Sequence, residues 1–160
     1  MKVKEEITSI AKKLFLKARD ILEQAGSVPW AAFVVSMDAS PEGFYNVKLL
    51  PLPENKEQAK ELITSRAIEI NAVAVIMVGE AYITKLSEKG ERLDRFEALY
   101  TAFRLYDDSL SIKAVRIMRK EGKAQAGDRV NLEFEGGLIV ANILPSWNKG
   151  QTARLTAEYH

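Results

Sequence analysis

With 160 residues, 47% of them apolar and 28% charged, the chain has the make-up of one globular domain, able to bury roughly 70% of its unfolded surface. It has no cysteine, and its one histidine is His160, so disulfides, thiolate metal sites, cysteine nucleophiles and a buried histidine triad are excluded. A net charge of +1 supplies no global positive field for nucleic acid or an anionic membrane.

The opening residues Met1 to Ile7 mix both charge signs and contain no signal-peptide core. The longest apolar run, Ala72 to Gly79, is far short of the roughly 20 residues a membrane helix needs, so a cytoplasmic protein with no membrane contact is expected. Val3, Ile7, Ile10, Leu14, Ala18, Ile21 and Ala25 recur at steps of three and four and predict a first helix, stopped by Gly26. Lys12, Lys13, Lys17 and Arg19 fall mainly off that stripe. A surface helix packed on its own core needs such a stripe; so does a two-helix seam, in which Ile7, Ile10, Leu14 and Ile21 would be the contact residues.

Trp30 to Met37 is short, apolar and rich in aromatic and β-branched residues, and predicts a buried strand. The turn residues Asp38 to Gly43 lead to a second strand, Phe44 to Leu50, as in a hairpin, and Pro51 and Pro53 end the pairing. Asn55 and Gln58 have capping-box spacing, and Ala59, Leu62, Ile63, Ala67 and Ile70 continue as a helix with Asn71 as a left-handed stop. Val73 to Val78, extended through Thr84, reads as the central strand, followed by a polar loop from Ser87 to Leu93.

The stretch Phe96 to Tyr106 suits helix or strand; the turn Asp107 to Ser109 and the strand Ile112 to Met118 favour a hairpin. After the turn Glu121-Gly122, the residues Ala126 to Asp128 read as a connection into an alternating strand, Arg129 to Glu135, with Val130, Leu132 and Phe134 on one face. Gly136-Gly137 then reverses the chain into Leu138 to Leu144, closed by Pro145. The expected fold is α+β: two helices packed on a mainly antiparallel sheet of about six strands, one domain over 1–145 and a C-terminal tail over 146–160.

The phosphate-loop, dinucleotide, nucleophile-elbow, zinc-helix and calcium-loop motifs are all missing. The remaining chemistry-bearing residues are Glu80, Tyr82, Arg92, Asp94, Arg95 and Glu97. Glu80 ends an apolar strand, where burial raises a carboxyl pKa and suits it to acid or base work, with Asp94 or Glu97 as its catalytic partner. An arginine such as Arg95 would instead hold Glu80 ionised in a structural pair. Glu80, Tyr82 and Arg95 together are the candidate ligand-binding set. Lys113, Arg116, Arg119, Lys120 and Lys123 form a basic stretch that would follow a phosphate backbone, but the acids Glu121, Asp128, Glu133 and Glu135 lie beside it, and a solvated hairpin edge is the simpler reading. Trp30 is read as core; Trp147 is left open between tail and ligand stacking.

The order helix, hairpin, helix, central strand over Met1 to Tyr82 resembles the start of MPN/JAB-type domains. That family's zinc site needs an H-x-H pair, and here no histidine precedes His160, so the resemblance implies a non-catalytic scaffold. The strand end Glu80-Ala81-Tyr82 and strand start Arg95-Phe96-Glu97 also resemble small uncharacterised bacterial and phage proteins, a likeness that implies no activity. A non-enzymatic binding or assembly module is therefore expected, without metal or cofactor. Its partner would be a second copy or another protein, met through the first helix or a sheet edge. The alternative is a small hydrolase-type enzyme using carboxylates around Glu80.

Overall fold

The computed structural model describes residues 2–37, 45–107, 109–130 and 137–140. Its elements are α1 (Lys2–Ala25), β1 (Ala31–Met37), β2 (Tyr45–Leu50), α2 (Lys56–Glu69), β3 (Ala74–Ser87), β4 (Arg92–Leu105), β5 (Leu110–Lys120), β6 (Lys123–Arg129) and β7 (Gly137–Val140). This is the expected α+β architecture. The sheet runs β2-β1-β3-β4-β5-β6 with every neighbour antiparallel, and β7 pairs with the far end of β3.

Alternation along the strands divides the interior into two cores. On one face Val75, Met77 and Ile83 of β3 join Phe96, Ala98, Tyr100 and Ala102 of β4 beneath Ile63 and Ala67 of α2. On the other, Ala74, Ile76, Val78, Leu99 and Phe103 lie beneath Ile7, Ala11, Phe15, Ala18 and Leu22 of α1. Both faces of β3 are covered, which is why its sequence shows a continuous apolar run.

Local chemistry sets the helix ends. Gly26, at φ +83°, donates its N–H to the Leu22 carbonyl at 2.8 Å, and Asn55 Oδ1 accepts the Gln58 N–H at 3.0 Å. Asn71 takes the left-handed conformation at φ 53°. The buried strip of α1 is Ile7-Ala11-Phe15-Ala18-Leu22, rotated by roughly 60° from the strip that the spacing suggested, at 3.6 residues per turn. Phe15 carries more apolar area than Ile10 or Ile21, and its strip claims the sheet.

Two expected boundaries move. The polar stretch from Ser87 to Leu93 is not a long loop: β3 runs to Ser87 and β4 starts at Arg92, and the tight turn is closed by the Glu91 carbonyl accepting the Ser87 N–H at 2.7 Å. Ala126 to Asp128 are not a connection but part of β6, because the turn at Glu121 and Gly122, both at positive φ, starts an immediate hairpin with Lys120 opposite Lys123. Leu138 belongs to β7, which pairs with β3. The turn at 38–43, Phe44 at the start of the second strand, residues 131–135 of the strand expected at 129–135, the end of the strand expected at 138–144 and the tail at 146–160 lie outside the described residues. Among the described residues no helix is long and apolar enough to cross a membrane.

Two side chains give measurable predictions about these cores. Thr101 is 5% exposed, and its Oγ1 meets no hydrogen-bond partner among the described residues. Thr101→Val removes a desolvated hydroxyl at nearly constant shape, so a stability gain of about 1 kcal/mol is expected from urea denaturation; a loss would show that the hydroxyl is satisfied. Tyr45 has its phenol pKa pushed from 10.0 to about 12, first by burial, then by its hydrogen bond to Glu6 and the charge of that carboxylate. A raised native pKa stabilises the fold fully below pH 10 and loses that contribution as pH rises through about 12. Burial also raises Tyr100. Tyr45→Phe should therefore flatten, but not abolish, the fall in melting temperature between pH 10 and 12; an unchanged alkaline limb would exclude Tyr45 as a contributor.

Candidate functional site

Past the C-terminal end of α1, the long strands β3 and β4 carry polar residues on the face that α1 covers further along. Glu80 lies opposite Leu99, and Tyr82 opposite Glu97, so alternation puts Glu80, Tyr82 and Glu97 on that face together. On β5 the same alternation runs Val115, Ile117, Arg119, and the arginine reaches back over the strands.

Arg119 is the centre of this cluster. Its Nε donates to Glu97 Oε2, its Nη2 to Glu80 Oε1 and its Nη1 to the Gly26 carbonyl, each at 2.8 Å. Glu80 Oε2 accepts the backbone N–H of Val28 at 2.7 Å. One guanidinium thus joins β5, β4, β3 and the Gly26 carbonyl just past α1, where the helix dipole also favours a cation. The hydrogen bond to Glu97 and the charges of Glu97 and Glu80 raise the Arg119 pKa further above its ordinary value.

The other candidates are distributed differently from expectation. Arg95 does not hold Glu80: its guanidinium stacks 4.5 Å from the centre of the Tyr82 ring, and Tyr82 is 57% exposed. Asp94 cannot partner Glu80, because on β4 it points to the opposite face from Glu97. There it accepts from Arg116 Nη2 at 2.8 Å, while that guanidinium lies 4.0 Å over the Phe96 ring. The Arg116 hydrogen bond holds the Asp94 carboxyl below the usual carboxylate range. Glu80, Asp94 and Glu97 are therefore all acceptors for arginine, a geometry that holds strands together.

The basic stretch is likewise divided. Lys113 lies 5.4 Å from the Phe15 ring under α1, Arg119 shares that face, and Arg116 lies on the other. Arg119 is the residue the linear pattern missed as a site residue; the available signal was an arginine extending the buried-face alternation of Val115 and Ile117.

A second surface lies at the β2 end of the sheet. Helix α1 lies against β3, β4 and β6, leaving part of the β1–β2 hairpin on its side uncovered. Met37, Val47 and Leu49 are 50%, 37% and 58% exposed there. Of the α1 residues expected at a contact, Ile7 is wholly buried in the chain's own core, Ile10 and Leu14 are half-buried, and Ile21 is 39% exposed. Glu6 reaches Tyr45 of β2, so this flank of α1 faces the hairpin. Among the described residues β2 pairs with β1 alone, and its outer backbone edge is open. No family model, curated protein or solved structure matches this chain.

Proposed function

We propose that this chain is a non-enzymatic protein-binding module whose contact surface is the β1–β2 end of the sheet. The observation that carries this reading is the apolar surface of Met37, Val47 and Leu49 beside an edge strand that, among the described residues, has one unpaired side. The carboxylates that an enzyme would use support the same reading, since Glu80 and Glu97 both accept from Arg119 and Asp94 accepts from Arg116.

The test is a photo-cross-linking side chain placed at Leu49 in cells of the native host, with Leu93, an equally exposed apolar residue at 56%, as control. Polypeptide adducts, whether with another copy or another chain, are expected at position 49 and not at 93. Adducts at neither position, or equally at both, would overturn the assignment. Light scattering on the purified chain then shows whether the partner is a second copy.

A further inference from the structure

Resting on that reading, we infer that the partner joins as an extended strand along β2, and that it alternates apolar with acidic side chains. The two faces of the edge differ. On the α1 side a new strand would meet Val47 and Leu49. On the α2 side it would meet Lys48, which pairs with Val34 across the hairpin, and a cavity of about 200 Å³ between β2 and α2. Val34, Leu50 and Ile70 give this cavity an apolar floor; Lys48 and Arg66 are its charged lining residues, and among the described residues no acid lines it. Arg66 already shares the Glu69 carboxylate at 3.3 Å, with 47% of its side chain still open to solvent. Among the described residues Lys48 has no such partner in the cavity wall.

Because strand side chains alternate between faces, one added strand presents every second residue to Val47 and Leu49 and the others to Lys48 and Arg66. Apolar residues suit the first face and carboxylates the second. The same charges disfavour a second copy. Symmetric pairing centred on Lys48 sets two lysines opposite each other; pairing centred on Val47 offers Lys48 only Asn46 of the other copy, and either brings two cationic cavities together. A lysine on an open edge repels strands of its own sign and admits acidic ones.

The experiment uses the intact chain and a blocked, fluorescent peptide alternating valine and glutamate, about seven residues long so as to span β2. A peptide with lysine for glutamate is the control. The acidic peptide is expected to bind about tenfold or more tighter, with the preference shrinking at about 0.5 M salt and reversing in the Lys48→Glu, Arg66→Glu variant. Both positions are solvent-exposed, and a melting curve on that variant checks its fold. Amide exchange should slow within residues 45–50 when the acidic peptide binds. Equal affinity for the two peptides, binding of neither, or binding without protection at 45–50 overturns the inference. A dimer in light scattering that the acidic peptide does not dissociate also overturns it, while leaving the contact surface at the β1–β2 end intact.

Discussion

Replacing Arg119 by methionine should lower stability by about 2 kcal/mol, read as a fall in the urea midpoint at unchanged slope. The substitution removes three hydrogen bonds at once and leaves Glu80 and Glu97, 22% and 33% exposed, facing each other without their cation. Each such bond to a charged group is worth more than a neutral one, but the arginine side chain is 41% exposed and solvent replaces part of the loss, which keeps the total near the value of one strong bond. Lysine at the same position should recover only part of it, because a single ammonium cannot serve two carboxylates and the Gly26 carbonyl in the fork geometry of a guanidinium. Adding Glu80→Gln and Glu97→Gln to the methionine variant should return some stability by removing the unpaired charges. Amide exchange should accelerate first near residues 26–28, where Arg119 and Glu80 hold the end of α1. A midpoint shift equivalent to less than about 0.5 kcal/mol would mean that the network is screened and contributes little.

The second large effect is expected at Gly79. A methyl group there would lie 2.8 Å from Trp30 Cβ and 2.9 Å from Trp30 Cα, well inside contact distance, and the obstacle includes backbone that cannot rotate away. Gly79→Ala should therefore cost about 2–3 kcal/mol by forcing β1 off β3 where Ala31 meets Val78. The same displacement would pull Val28 from Glu80, since both contacts occur where the chain enters β1. Gly79→Ala and Arg119→Met should accordingly fall short of additivity, as they loosen one junction. A melting temperature unchanged in Gly79→Ala would show that Trp30 can move at no cost.

These two residues mark how far the candidate site was legible. Glu80 and Tyr82 stand out in the linear pattern because a polar pair follows an apolar strand, and the structure does put them on one face with Glu97. Their arginine was not legible. Arg95 is closer in sequence, but it is on β4 and stacks on Tyr82; Arg119 is 39 residues from Glu80 and reaches it from β5. The flexible length of an arginine side chain decouples its sequence position from the place where its charge acts. The α1 strip shows the same limit. Val3, Ile10, Leu14 and Ile21 form as regular a helical stripe as Ile7, Ala11, Phe15 and Leu22, and periodicity alone cannot say which of two adjacent strips faces the sheet.

What the amino-acid sequence determined by itself was local. Gly26 and Asn55 end and begin helices through backbone groups within four residues, Glu121 and Gly122 make a turn, and alternation or unbroken apolarity marks strands with one or two covered faces. The α+β class and the central position of β3 followed from these. The tertiary structure alone decided that the two helices take opposite faces, that β7 pairs with β3, that Asp94 and Glu97 point apart and that, among the described residues, β2 is left with an open edge. Each of those depends on which distant segments meet, and such contacts are selected by the fit and burial of whole surfaces rather than by the preferences of a few neighbouring residues.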